Sequence, residues 1–380
     1  MDEEEDDLRL DAADLIEVPD ADEEIGISEA LEDMDMMNRD ERDDDVAVSV
    51  FRKHEKAVFS VSLNANLVAS GGEDDRAFVW TIENSETPVF ECKGHKDSVT
   101  CTGFSRDGHF LATGDMSGVV RVWNTETGLE VWGFECGDLE WLVWHSGAPV
   151  LLAGTTSGVT WMWKIPAGDA KTYSSGSDSS ASCGKLLPDG KRLAVGYGDG
   201  RVRVWDLKGG DALVNVIAHQ GNITCIECCN DGSLVASGSD DGSVRFVNPL
   251  NGKIVAGIEQ EREGEDSAIG VESFGFCSHL PIAAIGYLNG CLKFWDMAMQ
   301  RFRNEYRHPG SVVRLLWHPS EPFVFTCCLD GIVRLCDGRN GQCLTEWHGH
   351  DEAILDMVIS IDGSTIVTGS EDSTCRVFKK

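Results

Sequence analysis

From residue 46 onward, short stretches of alternating apolar and polar residues recur along the chain and predict β-strands. In the stretch 202–205, VRVW, apolar and charged side chains alternate with a period of two, as expected for a strand with one buried face. Gly and Asp residues separate the stretches, as in Asp240-Asp241-Gly242, and indicate tight turns. The pattern therefore predicts an all-β fold of short strands joined by turns.

These strands group into a unit that recurs eight times: a short apolar strand, a second strand ending in small residues, and a third strand ending in Trp or a substitute. The third strands end at residues 80, 123, 163, 205, 247, 295, 336 and 378, at spacings of 43, 40, 42, 42, 48, 41 and 42. A period of 40–45 residues, with a Gly-His opening as at 94–95 and a Trp-Asp close as at 205–206, is the signature of WD repeats. Eight copies predict an eight-bladed WD-repeat β-propeller around a central channel.

Closure of the ring is predicted from the two ends of the repeat region. The last repeat ends two residues after its third strand, at Lys380, so its blade would lack an outer strand and leave an open edge. The segment 46–51 reads as a strand, and we expect it to complete the eighth blade, which makes 46–380 one domain. The 48-residue spacing reflects an acidic excursion near Glu259 to Asp266, interpreted as a surface loop.

The charge is concentrated at the N-terminus. The chain has 65 acidic and 32 basic residues, a net charge of −33, and residues 1–45 alone contribute −19 from 22 carboxylates and three arginines. Such a segment cannot bury enough apolar surface to order itself, so 1–45 is predicted to be a disordered acidic tail. A chain this acidic is expected to repel nucleic acid and anionic membranes and to attract a basic partner.

Compartment and cofactors are predicted from what the sequence lacks. It opens without a basic and apolar leader and has no run of about 18 apolar residues, so a cytoplasmic protein without membrane insertion is expected. Its 14 cysteines are then predicted to be reduced thiols. The tightest cluster, Cys225, Cys228 and Cys229, has no matching second pair of zinc ligands, so no metal or other cofactor is expected. A closed ring has no free edge to pair, which favours a monomer.

One set of residues resembles a catalytic triad. His54, Ser70 and Asp74 precede Trp80 at repeat spacing. The same arrangement recurs at His219, Ser237 and Asp241 and at His350, Thr368 and Asp372. A catalytic triad need occur only once, whereas a structural hydrogen-bond network recurs with the repeat. We therefore expect His54, Ser70, Asp74 and Trp80 to form such a network, and we expect no enzyme. The second repeat has Ser117 at the Asp position, which predicts an incomplete network in that blade.

Candidate binding residues are predicted on one face, since propellers usually bind through the turns between second and third strands and the segments leading into first strands. Alignment of the repeats puts Glu73, Asp240 and Glu371 in such turns, and Asp97, Asp138, Glu140, Glu272, Asp351 and Glu352 at the starts of first strands. Repeats 8, 1, 2 and 3 are neighbours in the ring, so their carboxylates are expected to form one acidic arc, with Trp141 and Phe59 beside it. The alternative is that an acidic protein carries carboxylates on every surface.

Several stretches go beyond the general repeat pattern, among them GGEDDRAFVW (71–80), GHKDSVTC (94–101) and GDLEWLVWH (137–145). With these the chain resembles the angio-associated migratory cell protein family over nearly all of 50–380. The fungal counterpart of that family is a dedicated chaperone for one large-subunit ribosomal protein, the L-ten (universal L-sixteen) protein. The resemblance implies that the acidic face captures the basic N-terminal segment of that protein for ribosome assembly. The alternative is a signalling scaffold in cell migration and angiogenesis, and a hydrolase is the least favoured class.

Overall fold

The chain folds into eight four-stranded antiparallel sheets. A computed structural model describes residues 45–174, 176, 178–259 and 270–380, and this part of the chain contains 32 β-strands. The predicted eight-bladed β-propeller is confirmed. The predicted acidic tail, apart from Asp45, and the long excursion after Glu259 lie outside the described residues. Within the described ranges, no helix is long and apolar enough to cross a membrane.

Each blade runs from an inner strand outwards, and the first four blades follow in chain order. Blade 1 consists of β2 (Val58–Asn64), β3 (Leu67–Gly72), β4 (Ala77–Thr81) and β5 (Phe90–Cys92). Blade 2 consists of β6 (Val99–Phe104), β7 (Phe110–Asp115), β8 (Val119–Asn124) and β9 (Glu130–Glu135). Blade 3 consists of β10 (Leu139–Trp144), β11 (Val150–Thr155), β12 (Val159–Lys164) and β13 (Ala170–Ser174). Blade 4 consists of β14 (Cys183–Leu186), β15 (Arg192–Gly196), β16 (Arg201–Asp206) and β17 (Ala212–Ile217).

The other four blades repeat this order, except that blade 8 takes its outer strand from the start of the propeller. Blade 5 consists of β18 (Ile223–Cys228), β19 (Val235–Ser239), β20 (Val244–Val247) and β21 (Ile254–Ile258). Blade 6 consists of β22 (Val271–Phe276), β23 (Ile282–Tyr287), β24 (Cys291–Asp296) and β25 (Arg301–Arg307). Blade 7 consists of β26 (Val312–Trp317), β27 (Phe323–Cys328), β28 (Val333–Asp337) and β29 (Cys343–Trp347). Blade 8 consists of β30 (Ile354–Ile359), β31 (Thr365–Ser370), β32 (Cys375–Lys379) and β1 (Ser49–Phe51).

The core of the propeller lies between neighbouring blades. Every inner strand contacts the inner strands on both sides, and β30 contacts β2, so the ring is closed. The small residues at the ends of second strands allow this approach: a Cβ built on Gly71 would lie 2.7 Å from Val99 Cγ1 in the next blade. The corresponding distance from Gly238 to Val271 Cγ1 is 2.5 Å. Separations this short leave no room for a side chain at Gly71 or Gly238, whereas blade 7 has Cys327 at the equivalent position.

The ring is closed by the strand that precedes the first repeat. β1 pairs antiparallel with β32, with Ser49 opposite Val377 and Phe51 opposite Cys375. The strand is shorter than the 46–51 segment expected, although the Val48 N–H also donates to the Val377 carbonyl at 2.8 Å. Phe51 is fully buried and stacks on Trp80 of blade 1, with ring centroids 4.9 Å apart. One short strand thus covers the open edge of blade 8 and packs against blade 1.

The triad-like residues form a buried hydrogen-bond network. In blade 1, His54 Nδ1 lies 3.0 Å from Asp74 Oδ1, and His54 Nε2 lies 2.9 Å from Ser70 Oγ. Both His54 and Ser70 are buried, which keeps this serine away from a substrate. Trp80 was expected to belong to the network, but its Nε1 has no hydrogen-bond partner among the described residues. For blade 1 that part of the prediction is wrong.

The network of blade 2 is complete, so the prediction that it would be broken is also wrong. Asp115, two residues before Ser117, supplies the carboxylate: its Oδ2 lies 3.0 Å from His95 Nδ1. His95 Nε2 lies 2.7 Å from Thr113 Oγ1, which also accepts a 2.9 Å hydrogen bond from Trp123 Nε1. Ser117 Oγ donates to Asp115 Oδ1 at 2.8 Å. The serine therefore supports a displaced aspartate instead of replacing it.

Candidate functional site

One end of the ring is defined by a backbone hydrogen bond that all eight blades share. In each blade, the N–H of a residue just after the second strand donates to a carbonyl just before the first strand, over 2.8–3.2 Å. The donors are Glu73, Met116, Thr156, Gly198, Asp240, Leu288, Leu329 and Glu371. We call these eight residues, together with the segments leading into the first strands, the upper rim. The repeated bond holds the residues of both parts at the same end of their blade.

A second feature turns individual side chains out of the inner strands at this rim. In seven blades the pairing of the first two strands skips one residue, directly after the first residue of the inner strand. The skipped residues are Phe59, Thr100, Glu140, Thr224, Glu272, Val313 and Leu355. None of the seven is buried, whereas the residue before each of them is. Such β-bulges re-aim side chains and are common next to functional sites.

All nine predicted carboxylates lie at the upper rim. Seven of them belong to four consecutive blades: Asp351, Glu352 and Glu371 in blade 8, Glu73 in blade 1, Asp97 in blade 2, and Asp138 and Glu140 in blade 3. We call these seven residues the acidic arc. Six are exposed and Asp97 is half-buried. Asp240 in blade 5 and Glu272 in blade 6 share the rim but stand apart from the arc.

Few positive groups balance these carboxylates. Among the described residues, Lys56 is the one cation in ion-pair contact with the arc, with its Nζ 3.5 Å from Glu73 Oε1. Glu140 accepts a 2.6 Å hydrogen bond from the hydroxyl of Ser180 in blade 4. Outside the arc, burial raises the pKa of Glu272. The arc is therefore a row of solvated and largely unpaired carboxylates.

Trp141 has a structural position that the sequence analysis did not foresee. Its Nε1 donates to the Ala181 carbonyl of blade 4 at 2.8 Å. A Cβ built on Gly154 or on Gly184 would lie 2.2 or 2.3 Å from its ring, so the indole fills the space between blades 3 and 4. Trp141 thus packs between two blades, while Phe59 is half-buried at the bulge of blade 1. A direct contact of either ring with a ligand stays a prediction.

An apolar sector of the rim was missed. Leu288 and Leu329 hold, in blades 6 and 7, the turn position that carries Glu73 in blade 1, and they are 40% and 46% exposed. Val313, the residue skipped at the bulge of blade 7, belongs to the same part of the rim. A search for charged residues could not find these positions. Comparing the same turn position in all eight repeats would have done so.

The cysteines and other potential ligands assemble no metal centre in the described part of the chain. No group of three or more His, Cys, Asp or Glu side chains there could hold an ion. Cys225 and Cys228 belong to β18 and Cys229 follows it, and all 14 cysteines are free.

Comparison with known proteins bears on the fold and on the family. The family model "WD domain, G-beta repeat" matches residues 46–81, 86–124, 169–206, 211–248, 301–337 and 341–379. These segments cover more than half of the chain, but they leave out β9 to β12 and β21 to β24, which include the inner three strands of blades 3 and 6. Among solved structures, Sqt1 of Chaetomium thermophilum bound to the N-terminus of the ribosomal protein L10 has a TM-score of 0.80 at 24% identity, covering 88% of this chain and all of that one. Sqt1 of Saccharomyces cerevisiae has the same TM-score at 23% identity, covering 88% and 99%.

Proteins found by sequence comparison reach higher identities to this chain. The human angio-associated migratory cell protein is 47% identical over 343 residues, which are 86% of this chain and 79% of the human protein. The ribosome assembly protein SQT1 of Saccharomyces cerevisiae is 26% identical over 367 residues, 86% of this chain and 84% of that protein. The chain therefore belongs to the WD-repeat β-propellers and, among them, to the angio-associated migratory cell protein family.

Proposed function

We propose that this protein is a non-enzymatic chaperone that captures the basic N-terminal segment of a large-subunit ribosomal protein, the L-ten (universal L-sixteen) protein, and escorts it to ribosome assembly. The observation that carries the proposal is the acidic arc, seven carboxylates on four consecutive blades at one end of the ring. The proposal is also supported by the fold that this chain shares with Sqt1, whose structure has been solved with the N-terminus of L10 bound.

The chemistry of the arc suits a flexible peptide rich in lysine and arginine. A single exposed ion pair contributes only about 0–1 kcal/mol, so capture depends on several carboxylates acting together. Their summed field raises the rate of encounter with a cationic segment and disfavours acidic competitors. A bound client cation would compete with Lys56 for Glu73, and that exchange is cheap because both side chains are exposed.

The apolar sector adds a second requirement to the client. Leu288, Val313 and Leu329 lie on the same rim and offer no charge to a cationic side chain. A segment that crosses the rim would therefore combine basic residues over the arc with apolar or aromatic residues over blades 6 and 7. Burial of apolar area there would hold the segment after electrostatic capture has oriented it.

Further parts of the proposal follow from charge and topology. A shielded basic segment is kept from RNA and from aggregation, while the acidic carrier itself has no affinity for nucleic acid or for anionic membranes. The carrier acts in the cytoplasm as a monomer, since a closed ring leaves no inner edge strand to pair with a second copy.

Charge reversal at the arc tests the site. Glu73→Lys, Glu140→Lys and Glu371→Lys in one variant should weaken binding of a peptide with the client's N-terminal sequence on the order of a hundredfold, because attraction becomes repulsion at three blades. Binding is measured by fluorescence anisotropy at low and moderate salt. The matched control is Glu83→Lys, Glu86→Lys and Glu126→Lys, which changes the net charge equally in the turns at the opposite end of blades 1 and 2. Equal loss in both variants, or none in the first, would refute the site.

Client identification distinguishes the chaperone from a signalling scaffold. Crosslinking followed by purification of the wild-type protein from growing cells should recover one ribosomal protein in stoichiometric amount. Many signalling or adhesion proteins at low occupancy, with no ribosomal protein among them, would favour the scaffold instead.

A further inference from the structure

Two cysteines face each other in the outer half of blade 7. Cys336 of β28 is the direct partner of Cys343 of β29 in the antiparallel ladder. Directly paired residues in such a ladder have Cα atoms about 4.5–5.5 Å apart. This separation lies within the range of about 4.4–6.8 Å that a disulfide requires. Among the strand pairs of the described residues, these two cysteines form the one Cys–Cys pair in register.

The equivalent pair in blade 6 demonstrates that side chains at this register meet. Trp295 is the ladder partner of Phe302, and their rings pack edge to face with centroids 5.0 Å apart. Both blades also shift register at this point, directly before the paired residue. Blade 7 thus has two thiols where blade 6 has two aromatic rings in contact.

The two thiols differ in exposure and in acidity. Cys336 is fully buried in a core cluster, whereas Cys343 is half-buried and packs against the edge of that cluster. A hydrogen bond between the thiols lowers the pKa of Cys343 to about 7 and raises that of Cys336, which burial raises further. Cys343 is therefore the more exposed and the more acidic thiol, and Cys336 is a sheltered thiol directly opposite it in the ladder, the arrangement of an attacking and a resolving cysteine.

We propose that Cys336 and Cys343 form an oxidant-sensitive pair that closes to a disulfide on exposure to a hydroperoxide. The Cys343 thiolate attacks the terminal peroxide oxygen, which breaks the O–O bond, releases an alcohol or water after protonation, and leaves Cys343 as a sulfenic acid. The Cys336 sulfur then attacks the Cys343 sulfur, the S–O bond breaks, and the Cys336 proton leaves with the hydroxyl as a second water. The peroxide gains two electrons and the two thiols lose them. The product ties β28 to β29 and closes the loop 337–342, away from the upper rim, so the inference does not depend on the proposed function.

Peptide mapping of the full-length protein tests the pair. The reduced protein is treated with hydrogen peroxide, free thiols are alkylated, and the chain is digested with trypsin and chymotrypsin, which cut after Arg339 and Trp347. Because Arg339 lies between the cysteines, their peptides stay joined only through a disulfide. We expect a linked pair two hydrogens lighter than the sum of its peptides, formed in most molecules and lost on reduction. Without peroxide, Cys343 should be alkylated at least several-fold faster than Cys229.

Three variants separate the roles of the sulfurs. Cys343→Ser should abolish the linked peptides and leave Cys336 reduced. Cys336→Ala should leave Cys343 as a sulfenic acid that dimedone traps, with the fold checked by circular dichroism. Cys229→Ser, which alters a half-buried thiol in blade 5, should leave the yield unchanged. Overoxidation of Cys343 in the wild type without linked peptides, or alkylation no faster than at Cys229, would overturn the proposal.

Discussion

At the scale of single residues, the position of one aspartate decides how a buried histidine is held. In blade 2 the carboxylate comes from Asp115 at the end of the second strand, a position that is Gly72 in blade 1. A Cβ built on Gly72 would lie 2.6 Å from His54 Nδ1, so this position borders directly on the histidine. Two positions in the repeat can therefore deliver the same carboxylate. An alignment that inspects only the later one finds Ser117 and misses the network.

Asp115→Asn should destabilise the protein in a pH-dependent way. Burial would raise the pKa of Asp115, but hydrogen bonds from His95, Lys96 N–H and Ser117 outweigh it and lower the pKa to about 2. The unfolded pKa is higher, so the carboxylate's stabilisation is complete above about pH 5 and is lost as the pH falls towards 2. The loss of unfolding free energy in the variant should be about 1–3 kcal/mol at pH 7 and roughly half of that at pH 3.

Urea unfolding at the two pH values measures this difference. The control is Asp211→Asn, an exposed turn residue of blade 4, which should change the stability by less than about 0.5 kcal/mol at either pH. A loss that is the same at pH 7 and pH 3 would mean that the ionised carboxylate contributes nothing beyond its shape.

At the scale of the strand, the closing element is very short for the edge it covers. β1 has three residues, yet it satisfies the edge of β32 and puts Phe51 between blades 8 and 1. Its stabilising effect therefore comes from one buried ring more than from the length of the ladder. Each of the other seven blades takes its four strands from one continuous stretch of the chain, so none of them needs a strand from elsewhere.

Phe51→Ala should be among the most damaging single substitutions in the propeller. Loss of the ring leaves a cavity against Trp80, which for a buried Phe costs about 3–5 kcal/mol of unfolding free energy. Val48→Ala, on the same segment but 57% exposed, should cost less than about 0.5 kcal/mol. Guanidinium unfolding followed by tryptophan fluorescence compares the two. Similar losses in both would show that the segment acts only through its backbone.

The strands and their grouping could be predicted because the repeat imposes the same spacing on every blade. The closing strand could also be predicted, since one blade lacked a fourth strand and one leftover segment had the right alternation. The position of Trp141 could not be predicted. Its ring occupies the space above Gly154 in β11 and Gly184 in β14, and only the packing of these two strands shows that space. Leu288 and Leu329 could have been predicted, since they occupy the turn position of Glu73 in two further repeats, and only a search restricted to charged residues passes over them.

At the scale of the whole molecule, charged and apolar sectors divide one rim. The acidic arc spans blades 8, 1, 2 and 3, and the apolar turns belong to blades 6 and 7. The two sectors act through different forces. Salt screens exposed charges over about 8–10 Å at physiological ionic strength but leaves apolar burial almost untouched.

A double variant, Leu288→Ser with Leu329→Ser, should weaken binding of the basic client peptide about tenfold through lost apolar contact. The dependence of affinity on NaCl should stay as in the wild type, because the arc is intact. In the charge-reversal variant of the arc that dependence should flatten or invert. Titrations at several salt concentrations give both quantities, and a wild-type affinity that is insensitive to salt would contradict the electrostatic part of the mechanism.

The bulges of the inner strands separate side chains at the rim from the pairing of the sheets. The skipped residues Glu140 and Leu355 take no part in the strand pairing of their blades, so replacing them would change the surface of the rim and leave that pairing as it is. Blades 3 and 6, whose inner three strands the family pattern does not match, both carry glutamate at the bulge. Under the proposed function, ligand choice could therefore change at such positions without a change in the pairing of the strands.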